Sequence, residues 1–190
     1  MEIEMVIENM VTEDNRKRGK ALSVFFDTEF TRFRDLEHEP KLISIGLVAE
    51  DGREFYAELT DTYQESDCSD FVLDVVRPLL DGSNKLQEAQ LAVQLKDWIE
   101  RLGADEVVLR CDAPAYDWTF VVELFRFYGV WASNLRRKSG TVYFDSDRQI
   151  HRYQSALAMF WMDNQARMHH ALVDARSMRF AWRYAIKRGV

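Results

Sequence analysis

The sequence predicts an α/β domain built on a mixed sheet, and three observations predict it. Three β-rich apolar runs stand together near the start. Later strand-like runs alternate with segments of helical spacing. No segment is repeated, so a solenoid is excluded and layers of helices on a sheet are the natural packing. At 190 residues, with 47% hydrophobic and 30% charged side chains, the chain has enough material for one domain with a real core.

Residues 1–20 have weak periodicity and a basic run at Arg16, Lys17, Arg18 and Lys20, and they read as an N-terminal extension to a single domain over 21–190. The first strand is "ALSVFFDTEF", followed by the polar loop "TRFRDLEHEP". "KLISIGLVAE" and "REFYAEL" flank Asp51-Gly52, a strong short-range hairpin signal that makes the second and third strands antiparallel. "SDFVLDVVRPLL" and "KLQEAQLAVQLKDWIERLG" show helical spacing, the latter stopping at Gly103. "DEVVLRCD" reads as a buried strand. "APAYDWTFVVELFRFYG" reads as a short loop entering a helix that ends at Gly129. A short strand at "GTVYFD", a helix from about Arg148 to Asp163 and a final helix in "HHALVDARSMRFAWRYAIKRG" complete the order, roughly βββαβαβαα.

Twelve Phe, seven Tyr and five Trp argue against a disordered chain. The apolar runs are too short for a membrane span, and the acidic start lacks the basic opening of a secretory signal, so the expected location is cytoplasmic with no membrane partner. Cys68 and Cys111 form no metal-type or redox-type pair and read as reduced thiols, which excludes zinc fingers and disulfide scaffolds. A net charge of -7 disfavours broad affinity for nucleic acid and leaves room only for local contacts.

The chemistry begins with "VFFDTEFT". Alternate side chains of a strand share a face, so Asp27 and Glu29 point the same way despite their like charge. Alone, such a pair is more often a solvated strand end. Two other features change the balance. Asp117 begins a helix after the strand "EVVLR", a place that suits a carboxylate with no function at all, and Asp112 at the strand's own end competes with it. In the last helix Asp174 sits between Val173 and Ala175, five residues after His169 and four after His170, where a buried carboxylate needs a cation or a strong donor. Four hard oxygen donors with one imidazole suit Mg²⁺ or Mn²⁺ better than zinc. Two such ions would relieve the repulsion, and in-line displacement at phosphorus is the chemistry that uses them.

With "DTEF", "AYD" and "HHALVD" in this order, the chain resembles the DEDDh exonucleases, the DnaQ-like branch of the ribonuclease H-like fold that includes RNase T and oligoribonuclease. The match runs from about residue 21 to 186. "LISIGLVAEDGREFYA" and "HHALVDAR" are also similar to a bacterial exoribonuclease subgroup first described from mycobacteria. The resemblance implies a mixed central sheet with helices on both faces and a 3′-to-5′ exonuclease acting on single-stranded RNA or short oligonucleotides to release nucleoside 5′-monophosphates. DNA is the alternative strand, and a non-cutting module that binds nucleotides or RNA ends is the alternative class. Carried over residue by residue, Asp27 bridges two metals, Glu29 and Asp174 complete the site of the nucleophile's metal, Asp117 supports the second, and His169 is the general base. His170 fills the variable position of the motif and is the competing base.

Many members of the family have His-Asn and Phe-Asp in the second motif, where this chain has Cys111-Asp112 and Tyr116-Asp117; Asp112 is the candidate to replace the absent Asn. Phe30 and Thr31 would stack on the terminal base and touch its sugar, with core packing the competing role for Phe30. Trp118 would line the channel or pack behind it. Arg136, Arg137 and Lys138 would grip phosphates or form a solvated loop. Arg176, Arg179, Arg183 and Lys187 form a basic stripe, most simply the wet face of the last helix, with docking of a nucleic-acid strand or a second subunit the alternative. The apolar part of that helix, "FAWRYAI", offers surface for a homodimer.

Overall fold

In the computed structural model, which describes residues 21–187, the strand that carries Asp27 and Glu29 lies in the interior of a six-stranded sheet. The expected extension over residues 1–20 lies outside the described residues. Strand β1 (Leu22–Phe30) pairs antiparallel with β2 (Leu42–Ala49) and parallel with β5 (Val107–Cys111). Strand β3 (Glu54–Leu59) joins β2 through the Asp51-Gly52 turn, where Gly52 takes φ +101°, a conformation open to glycine. Short edge strands β4 (Lys85–Leu86) and β6 (Gly140–Thr141) run parallel to β3 and β5, giving the order β4-β3-β2-β1-β5-β6. The sheet is mixed, as expected.

The pleat of β1 sorts its residues between two cores. Val24 and Phe26 face helices α1 (Glu88–Arg101) and α2 (Asp117–Phe127), where Leu91, Leu95, Ile99, Val121 and Phe125 are buried. Phe25 faces helices α3 (Asp147–Asn164) and α4 (Ala171–Ile186) and packs with Tyr153, Met178, Ala181 and Trp182. All eight residues of β2 are buried, the near-continuous apolar run of a strand covered on both faces. The two faces each carry two helices. Among the described residues, no helix is long and apolar enough to cross a membrane.

Three local expectations change. "SDFVLDVVRPLL" forms a single wide turn over Val72–Val76 and a 3₁₀ turn over Arg77–Leu79 in place of a regular α-helix. Pro78 has no N–H and its ring crowds the carbonyl four residues back, so an α-helix cannot run through it. The start of "KLQEAQ" pairs as β4 before α1 begins at Glu88, where the Gln87 N–H is capped by the Gln90 side chain at 2.9 Å. The strand expected at "GTVYFD" is confined to Gly140–Thr141, because the Tyr143 N–H turns back to the Thr141 hydroxyl at 3.0 Å.

Gly46 determines how closely α4 approaches the sheet. It pairs with Asp27 across the β1–β2 ladder, and a Cβ there would collide with the backbone of Ala171 and Leu172. A bare backbone on β2 thus seats the first turn of α4 beside Asp27.

Candidate active site

Asp27 and Glu29 follow Phe25 on the face of β1 that meets α3 and α4, as the period of two requires. Asp174 stands in the first turn of α4, which rests on Gly46. Asp117 opens α2 from the opposite face, and the Thr28 hydroxyl donates to its Oδ1 at 2.6 Å. Asp112 lies just beyond the end of β5. The side chains gather in two groups. One oxygen or nitrogen each of Glu29, His169 and Asp174 lies within 4.8 Å of the others, and the same holds for Asp27, Asp112 and Asp117.

These carboxylates are costly to ionise. Burial, then the charges of Asp174 and Asp117, pushes Glu29 up to about 9. Burial raises Asp117 and Asp174 to about 7 each, with the Thr28 hydroxyl and the His169 backbone, respectively, working the other way. Asp27 is raised well above the usual carboxylate range by burial and by Asp117, Glu29, Asp174 and Asp112 around it. Asp117 is 1% exposed, yet its Oδ2 has no hydrogen-bond partner among the described residues. A buried carboxylate oxygen without a donor is costly unless a cation sits against it. The hard oxygen donors and the orphaned atom therefore fit a divalent metal of the magnesium or manganese type.

The two neighbouring histidines part company. His169 adopts φ +70°, a conformation that only the constraint of its surroundings keeps in a bulky residue, and it joins Glu29 and Asp174. Its ring meets Phe71 edge-on at 5.0 Å, and burial lowers its pKa. His170 is 3% exposed and stacks on Tyr56 at 4.7 Å, outside both groups, so the five-residue spacing to Asp174 is the one that converges.

A cleft of about 630 Å³ opens over these residues, lined by Phe30, Phe33, Phe71, Tyr116, Tyr153 and Trp161 along with the acidic side chains. Phe30 lies face to face with Tyr116 at 4.8 Å, and Phe33 stands edge-on to both at 5.5 and 5.4 Å. Phe30 and Asp112 therefore stand at the cleft.

Thr31 does not: it is fully buried, its hydroxyl accepts the Lys41 N–H at 3.0 Å, and it fastens the loop after β1. Trp118 packs behind the site, edge-on to Trp131 at 6.1 Å, because its position on α2 faces the larger core. The phosphate-gripping role considered for the 136–138 loop is also corrected. Arg136 donates its backbone N–H to Val107 at the start of β5, the end away from the carboxylates, and pairs with Glu106, while Arg137 covers Trp131 at 4.8 Å. On α4, Arg176 pairs with Glu54 and Arg179 donates to the Glu50 carbonyl, so part of the basic stripe is held by the β2–β3 hairpin.

Sequence reasoning missed Phe33, Phe71 and Trp161. Phe33 in an otherwise polar loop was a visible signal; Phe71 and Trp161 sit in segments that read as ordinary amphipathic helix.

Comparison with known proteins agrees with the resemblance that the three motifs carry. No protein-family model matches the chain. It is similar to a 3′-5′ exoribonuclease of Mycobacterium tuberculosis, recorded in two strains, at 34% identity over 103 residues. That match covers 53% of this chain and 60% of the relative, so the chain spans less than two thirds of the relative's length. Among solved structures, the nuclease domain of 3'hExo, a DEDDh family member bound to rAMP, superposes with a TM-score of 0.61 at 15% identity, over 85% of this chain and 90% of that one. Escherichia coli exonuclease I in complex with a dT13 oligonucleotide gives 0.51 at 11% identity, over 84% of this chain and 40% of that one. At such identities the likeness is one of fold, and the fold is the ribonuclease H-like one of these nuclease domains.

Proposed function

We propose that this protein is a metal-dependent 3′-to-5′ exonuclease of the DEDDh kind, acting on single-stranded RNA or short oligoribonucleotides and releasing nucleoside 5′-monophosphates. The observation that carries the reading is the meeting of Glu29, His169 and Asp174 beside Asp27, Asp112 and Asp117 at the floor of an aromatic cleft. The similarity to a mycobacterial exoribonuclease favours RNA over DNA.

Bound divalent ions, Mg²⁺ or Mn²⁺ and two per site in this reading, would neutralise the charge that builds up as a phosphodiester is displaced in line. Asp27, Glu29 and Asp174 would hold one ion and Asp27 and Asp117 the other, so that Asp27 belongs to both. Thr28 fixes the rotamer of Asp117 by occupying Oδ1, which leaves Oδ2 for a cation. His169 is the general base: burial keeps its imidazole neutral and able to accept a proton from the attacking water. Its φ of +70° and the edge of Phe71 limit how far the ring can turn. Phe30 and Tyr116 offer a stacking platform for the terminal base, a sequence-tolerant contact.

A cytoplasmic location is part of the proposal. So is a homodimer, supported by Phe180, Tyr184 and Ile186, which remain exposed on α4.

The test is a time course on 5′-labelled single-stranded RNA and its DNA counterpart, with Mg²⁺, Mn²⁺ or EDTA, comparing the protein with Asp27→Ala. Shortening from the 3′ end that requires metal and Asp27 is the expected result. Faster shortening of DNA would replace the substrate, and no shortening of either strand would replace the enzyme with a nucleotide-binding module.

A further inference from the structure

Asp112 stands where the resembled family commonly carries a neutral Asn, and the geometry points to a new role for it. We propose that Asp112 is a direct ligand of the divalent ion held at Asp27 and Asp117, so that this ion sits among three carboxylates. The inference rests on the metal-dependent reading and adds a fifth carboxylate to it.

Two independent observations carry it. First, an oxygen of Asp112 lies within 4.8 Å of one on Asp27 and one on Asp117, close enough for all three to meet one cation. Second, Asp117, a member of the same group, is 1% exposed, and its Oδ2 has no donor although the Thr28 hydroxyl satisfies the other oxygen. Ordinary packing would not leave that atom bare. The backbone of Asp112 is held in place, since the Tyr143 hydroxyl donates to its carbonyl oxygen at 3.0 Å and β5 fixes the residue before it. The side chain itself is exposed toward the cleft. A ligand that enters from the solvent side closes a site whose other two members come from the sheet and from the start of α2.

With Asp112 added, the ion at Asp27 and Asp117 gains a third carboxylate, so removing that charge should loosen this ion and spare the one held with Glu29 and Asp174.

Mn²⁺ binding to the full chain, followed by the loss of the free-ion signal in electron paramagnetic resonance, tests this apart from activity. The wild type should bind two ions, and Asp112→Asn should weaken one of them at least tenfold while leaving the other within twofold. The Mn²⁺ concentration giving half-maximal cleavage should rise by a similar factor. Two unchanged affinities in Asp112→Asn would overturn the ligand role and leave the metal-dependent reading standing. A wild type that binds no Mn²⁺ would overturn both. As Asp112 is exposed, its Asn variant should fold, and an unchanged circular dichroism spectrum checks that point.

Discussion

Glu29→Gln should make the metal-free protein more stable, and by an amount that depends on pH in a defined direction. In the unfolded chain Glu29 ionises at its ordinary value of 4.5; in the fold it is pushed up to about 9 by burial and by Asp174 and Asp117. Below pH 4.5 the group is neutral in both states and costs nothing. As the pH rises toward 9, the unfolded chain has released a proton that the folded chain still holds, so stability is lost progressively. From 4.5 to pH 7 is about 2.5 pH units, which at about 1.36 kcal/mol per unit is about 3 kcal/mol. Gln keeps the shape of the neutral acid and removes the linkage. In EDTA the variant should therefore match the wild type near pH 4.5 and exceed it by about 3 kcal/mol at pH 7, or roughly 6–12 °C in melting temperature for a chain of this size. Divalent metal should reverse the ranking, because the wild type gains a ligand that the variant lacks. Urea denaturation at several pH values, with and without Mn²⁺, measures all of this. An advantage that is absent at pH 7 in EDTA, or that is as large at pH 4.5, would refute the reasoning that burial, with Asp174 and Asp117 beside it, holds Glu29 protonated in the metal-free fold.

His169→Ala should lower the cleavage rate by about 10²–10⁴-fold while Mn²⁺ affinity stays within a few-fold, which separates a proton-accepting histidine from a metal ligand. Because burial lowers its pKa, the imidazole remains neutral below its ordinary 6.5, so in metal-saturated wild type the acid-side fall in rate should lie below pH 6.5 and vanish in the variant. Gly46→Ala should cost at least about 1–3 kcal/mol in urea denaturation, since the new methyl meets the immovable backbone of Ala171 and Leu172, and should weaken Mn²⁺ binding by moving Asp174 away from β1.

Much of the sheet was legible because its cues are local. The Asp51-Gly52 turn, the buried runs of β1 and β2 and the alternation that puts Asp27 and Glu29 on one face need only the period of a strand and the chemistry of a turn. The segment around Pro78 departs from its helical spacing because proline lacks the N–H that an α-helix needs there. Thr31 departs for a different reason: a residue just past β1 can face the cleft or fasten the loop behind it, and the choice depends on Lys41, ten residues away.

The sequence by itself determined the residue types of the site, their order along the chain and the acidic character that calls for a cation. Tertiary structure decided which of them meet. Asp112 and Asp117 are both near the end of the same strand, and only the fold brings both to Asp27. His169 and His170 are chemically identical, and φ +70° at the first turns it to Glu29 and Asp174 while the second is buried against Tyr56. Composition and periodicity report what a chain can bury or ionise; the convergence of groups 89 residues apart, such as Thr28 and Asp117, depends on how strands are ordered and helices seated, which no local pattern encodes.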